Sequence, residues 1–151
     1  MIDRRIRIPK DKDDFVKQLV SGDGGSGPFQ LKVDVLAFAA LLGAARNHKR
    51  HFDEATKEPI RQEVFDRQGY DSIINLLAVY DSGSTALLSD EDDKVEQRAV
   101  VFEAYANGGL EILKEKLKGS IDPTNEILLL IRERMQQGKQ VEAIDITSLL
   151  Q

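Results

Sequence analysis

The sequence predicts a mainly α protein, a single compact helical domain over residues 1–151 with a short N-terminal β-strand that opens a strand-helix-helix arrangement. Three observations predict it. Residues 2–8 alternate, with Ile2, Ile6 and Ile8 on one parity and Arg5 and Arg7 on the other, so an extended chain buries isoleucine and presents guanidinium. Leu31 to Arg46 is apolar around most of a helical circumference, which suits a helix at the centre of a core. The second half carries repeated helix starts, the clearest being Asp122-Pro123, an N-cap acid with proline at the first helical position.

The elements follow in order. Lys10 to Val20 predicts a helix of about three turns, with acids at its start and Phe15, Val16, Leu19 and Val20 on one side. Its end is set by Ser21 to Pro28, too rich in glycine to continue. Within the central helix, Leu36, Phe38, Ala39 and Leu42 are expected to be buried. His48 to Pro59 reads as an exposed connection, and Ile60 to Phe65 as either a short strand or a helical turn. A helix from an Asp71 N-cap to Gly83 follows, then one opened by Asp90 to Asp93 and broken at Asn107-Gly108-Gly109. Leu110 to Gly119 and Asp122 to Gly138 supply two more, and Val141 to Leu150 ends the chain as a short helix or strand. An isolated strand leaves backbone groups unsatisfied, so the N-terminal one must pair, either with residues 60–65 or with a second copy of the chain.

Composition narrows the function. There are no cysteines, which removes disulfide frameworks, thiol nucleophiles and Cys-based metal sites and points to a reducing cytoplasm. No apolar run of signal-peptide length opens the chain, and the longest, Val35 to Ala45, is too short to span a bilayer, so no membrane partner is expected. The net charge is −5, unevenly distributed: residues 1–62 carry 12 Lys/Arg against 9 Asp/Glu, and residues 63–151 carry 9 against 17. An acidic whole opposes non-specific adhesion to nucleic acid, yet a localised basic face is compatible with it.

No motif nominates a cofactor or a reaction. Gly22, Gly24 and Gly27 fit GxGxxG formally, but a helix precedes them and Pro28 follows, which suits a flexible loop better than a phosphate cradle. His48 and His51, the only histidines, flank Lys49 and Arg50 and lack a third ligand. Asp90 to Asp93 lack the glycine and the Glu spacing of a calcium loop. The expectation is therefore a non-enzymatic protein without metal or cofactor.

The candidate contact surface is basic. Arg5, Arg7 and Lys10 with Arg46, Lys49 and Arg50 form the densest cationic set in an acidic chain and are the residues expected to bind DNA phosphates. The bland counterpart is an edge strand protected by charge from sheet-to-sheet pairing.

Several stretches resemble a family encoded beside bacterial DNA phosphorothioation systems, the dnd system-associated protein 4 family. They are Arg4 to Asp11, Asp34 to Ala40, Glu58 to Arg61, Gly69 to Asp71 with Ile74 to Ala78, and Tyr105-Ala106-Asn107-Gly108-Gly109-Leu110-Glu111, the most specific. The resemblance implies an accessory role in a phage-defence system that places sulfur in the DNA backbone, or in restricting DNA without that mark, with other dnd or defence proteins as partners. The start also resembles the ribbon-helix-helix theme, which implies a homo-oligomer with a shared ribbon, although the Gly-rich connection is longer than that motif carries. Two readings result: a DNA-binding or regulatory accessory, and an adaptor that docks another defence subunit through the acidic C-terminal helices.

Overall fold

Alternating parity at the N-terminus has its expected effect. In a computed structural model, which describes residues 4–22 and 27–149 and side chains as far as residue 138, Ile6 and Ile8 are buried while Arg5 is exposed. Ile2 and Gly24 lie outside the described residues. Strand β1 (Arg5–Ile6) pairs antiparallel with β2 (Ile60–Arg61), in the register Arg5↔Arg61 and Ile6↔Ile60. Backbone bonds from Gln62 to Arg4, Thr56 to Ile8 and Lys10 to Glu54, at 2.9, 2.9 and 3.0 Å, extend the ribbon in both directions. Of the two partners open to the strand, the one in the same chain is used. Residues 60–65 contain both elements that compete for them, since β2 passes directly into helix α3 (Gln62–Arg67).

The first helical segment is shorter than its pattern. A 3-10 turn over Lys10–Lys12 precedes α1 (Asp13–Gln18), and the tighter turn swings Lys12 inward, where it is 5 % exposed. Helix α2 (Lys32–Ala45) begins after an extended Leu31, whose N–H donates to the Asp34 carboxylate at 3.0 Å. It buries Val33, Val35, Leu36, Ala37, Ala39, Ala40 and Leu42, as a helix without a polar face must. Phe38 departs from the expected set. It is only half-buried, tilted against Phe29 with ring centroids 5.5 Å apart at the wall of an open groove.

Helix α4 (Asp71–Ser82) starts one residue earlier than expected, with Tyr70 rather than Asp71 at the N-cap because the preceding turn is itself helical in dihedral angle. It turns Ile74, Leu77 and Ala78 inward. Phe65 of α3 meets Phe102 edge-on at 5.4 Å, and both are fully buried.

Helix α5 (Asp92–Leu117) overturns the expected break, because it runs through Asn107-Gly108-Gly109 without interruption. The glycines serve close approach. A Cβ on Gly109 would lie 1.7 Å from the Ala39 carbonyl oxygen, one on Gly108 2.0 Å from that of His48, and one on Gly43 2.2 Å from that of Tyr105. Backbone thus packs against backbone where α2 crosses α5.

The described residues divide between Glu115 and Lys116 into two compact units. The second is built on α6 (Pro123–Leu149), started as predicted by Asp122, whose carboxylate accepts the Asn125 N–H at 3.2 Å. Its backbone passes Gly138, the expected stop, and the tail from Val141 is helical to Leu149. Among the described residues, no helix is long and apolar enough to cross a membrane.

Candidate functional site

Residues 102–110 of α5 are all buried, so any polar side chain among them must find a partner within the protein. Glu103 and Asn107 lie in that stretch, and with Glu111 they follow an i, i+4, i+8 spacing that places all three on one helix face. The face acts as a polar rail to which the N-terminal segment and the 48–52 connection are tied.

At the first position, Glu103 is 2 % exposed and takes three hydrogen bonds from Arg7: the backbone N–H at 2.6 Å, Nε at 3.2 Å and Nη2 at 3.1 Å. Arg7 also sits over the Phe52 ring, 4.7 Å from its centroid. Arg4 adds charge, with Nη2 3.6 Å from Glu103 and Nε 3.0 Å from Glu96 one heptad earlier. These Arg4 contacts are ionic, because neither nitrogen meets hydrogen-bond geometry.

At the second position, Lys12 Nζ donates to Asn107 Oδ1 at 3.0 Å and to Asp11 at 3.0 Å, while Asn107 Nδ2 donates to the Arg50 carbonyl at 3.0 Å. At the third, Glu111 receives Arg50 Nε at 3.3 Å and lies 3.4 Å from His48 Nε2. A polar cavity of about 260 Å³ opens here, lined by Asp11, Lys12, Arg50, His51, Asn107 and Glu111 among others. Its cations and carboxylates answer one another.

Beside the rail, Lys49 Nζ reaches Asp81 at 2.7 Å and the Tyr105 hydroxyl donates to the same carboxylate oxygen at 3.0 Å. Burial alone would raise Asp81, but the bonds from Lys49 and Tyr105 outweigh it and hold the carboxyl below its ordinary value. Burial and the bond to Asp81 push Tyr105 up to about 12. The hydrogen bond to Asp34, 2.6 Å long, and then burial push Tyr70 up to about 12 as well.

Both tyrosines are thus raised above the ordinary value of about 10. Their contribution to stability is complete below about pH 10 and is lost as pH climbs through about 12. Alkaline titration of tyrosinate absorbance is expected to show a component near 12 that Tyr70→Phe and Tyr105→Phe each diminish.

The structure separates the six basic residues expected to bind DNA. Arg7, Lys49 and Arg50 are engaged with Glu103, Asp81 and Glu111. Arg7 and Arg50 hold rail positions eight residues apart, about 12 Å along the helix. Arg5 is exposed opposite Arg61 in the ribbon, and Lys10 and Arg46 are exposed as well. Sequence reasoning missed Arg4, Lys12, Glu103 and Asn107. The signal was present in the four-residue spacing of Glu103, Asn107 and Glu111, and it was hidden by reading the two glycines as a helix break. Among the described residues, no three His, Asp or Glu side chains gather as a cation site.

The segments that build this rail, Arg4 to Asp11 and Tyr105 to Glu111, are among those that carry the family resemblance. They point to a protein associated with DNA sulphur modification. The family model for DNA sulphur modification system-associated protein 4 matches residues 5–149, and the chain belongs to that family. Comparison with curated proteins and with solved structures finds no match.

Proposed function

We propose that this protein is a non-catalytic adaptor of the DNA sulphur modification system, acting in the cytoplasm by holding another protein of that system. The single observation behind this reading is that Arg7, Lys49 and Arg50, half of the six cations expected to bind phosphate, are already paired with Glu103, Asp81 and Glu111. What remains is a chain of net charge −5 whose residues 63–151 would repel DNA and attract a basic protein surface.

The test measures association of the purified protein with each protein encoded with the system, and in parallel its binding to a short duplex over a salt series. Association with a system protein, together with duplex binding that is absent or nearly independent of salt, is the expected result. A log–log salt slope near −3.6, equivalent to about four neutralised phosphates, would replace the adaptor with a DNA clamp.

That second reading keeps one observation of its own. Lys10 and Arg46 are exposed and take part in no side-chain ion pair among the described residues, and Arg5 stands opposite Arg61 on the ribbon. If these groups touch phosphate, Lys10→Ala with Arg46→Ala flattens the slope by roughly two on duplexes with or without phosphorothioate linkages.

A further inference from the structure

Helices α2 and α4 leave an open apolar groove between them. Phe29, Phe38, Leu41, Tyr70 and Ile73 line it, with Asp34 at its edge, and its volume is about 580 Å³. Among the described residues its walls are not closed by packing, since Leu41 is 41 % exposed and Phe38 and Ile73 are half-buried. The apolar strip continues along α4 at i+3 and i+7 from Ile73, where Leu76 is 60 % and Tyr80 54 % exposed. An open strip of exposed apolar side chains along a helix suits an extended or helical stretch of polypeptide.

Charge selects the kind of polypeptide. Asp34 has both oxygens engaged, by Tyr70 and by the Leu31 N–H, which fixes its carboxylate at the groove. Flanking the α3–α4 turn that delivers Tyr70 are Glu63 and Asp66 of α3 and Asp71 at the start of α4. Burial first, and then the neighbouring charges of Asp71 and Glu63, raise the proton affinity of Asp66. The cation beside them, Arg67 at the end of α3, lies 3.7 Å from Glu63 with both side chains mostly exposed, a pair of small worth. The turn therefore holds an excess of negative charge that an incoming cation would relieve. Nucleic acid is repelled by the same carboxylates, and a second copy would bring an identical acidic turn with it.

We infer that this groove docks a segment of a partner protein that combines a large apolar anchor with lysine or arginine. The anchor seats between Phe38, Leu41 and Ile73, and the basic residue lies toward Asp34 and the Asp66–Asp71 turn. The inference rests on the adaptor reading and assigns it a surface.

The experiment pans a displayed library of short random peptides on the intact protein and measures the enriched sequences by fluorescence anisotropy. Enriched peptides are expected to pair a large apolar residue with Lys or Arg. Leu41→Glu, at a position exposed enough to leave the fold intact by thermal melting, should weaken them by about tenfold or more. Asp66→Asn with Asp71→Asn should weaken them severalfold at low salt and less at high salt. The inference is overturned by no enrichment, by binders lacking basic residues, by binders indifferent to Leu41→Glu, or by a concentration-dependent dimer that Leu41→Glu abolishes. Association of Leu41→Glu with the system's proteins separates the two claims. If it persists at wild-type strength, the groove falls and the adaptor stands. If the wild type associates with none of them, the adaptor falls while the peptides still decide the groove.

Discussion

Gly109→Ala is expected to destabilise the protein by about 3 kcal/mol or more, at or beyond the upper end of the cost of overpacking a core. The added Cβ would sit 1.7 Å from the Ala39 carbonyl oxygen, and the obstacle is helix backbone, which cannot swing aside as a side chain can. The sign makes the experiment decisive. Within an isolated helix, alanine is better than glycine by about 1 kcal/mol, so a glycine with only local meaning would give a more stable variant. Gly138 of α6 is the matched control: a Cβ there meets nothing within 4 Å, and Gly138→Ala should stabilise by about 0.5–1 kcal/mol. Chemical denaturation of the two variants beside the wild type reads both effects. A stabilised Gly109→Ala would mean that α2 and α5 do not cross at backbone contact.

Glu103→Ala should cost about 3 kcal/mol, the lower end of the loss when one partner of a buried ion pair is removed. Glu103 is nearly inaccessible at 1 % side-chain exposure, whereas Arg7 at 37 % and Arg4 at 15 % recover part of their solvation, which holds the cost below the maximum. Three hydrogen bonds end on this carboxylate, one of them from the backbone of the N-terminal segment, so its loss also frees the strand from α5. Arg67→Ala removes an ion pair whose partners are 68 % and 66 % exposed and should change stability by about 0.5 kcal/mol or less. Equilibrium unfolding at low and high salt separates the two, since the buried contact is poorly screened. A Glu103→Ala effect as small as that of Arg67→Ala would remove the rail as a stabilising element.

The basic residues near the N-terminus illustrate how charge in a sequence misleads. Arg7, Lys49 and Arg50 are conspicuous because the chain around them is acidic, and their count suggests a phosphate face. Their carboxylate partners, Glu103, Asp81 and Glu111, lie 96, 32 and 61 residues away, a separation at which no local pattern links cation to anion. Lys12 escapes notice for the converse reason. It resembles any solvated lysine in a charged run, and only its approach to Asn107 makes it a buried donor.

Features legible in the sequence alone are those that local physics controls. The parity of Ile6 and Ile8 set the inward face of the strand, the apolar circumference of residues 31–46 made α2 a core helix, and Asp122-Pro123 started α6. In each case the deciding interaction acts within a few residues: side-chain alternation, a cap, a missing N–H. Long-range packing settled the rest. It made β2 the partner of β1, left Phe38 half-buried at a groove, and carried α5 through Asn107-Gly108-Gly109. Glycine weakens a helix by about 1 kcal/mol when alone, so its local preference is small. Close packing of α2 and the His48 backbone against those two positions outweighs that preference, and it forms only once segments some sixty to seventy residues apart have come together.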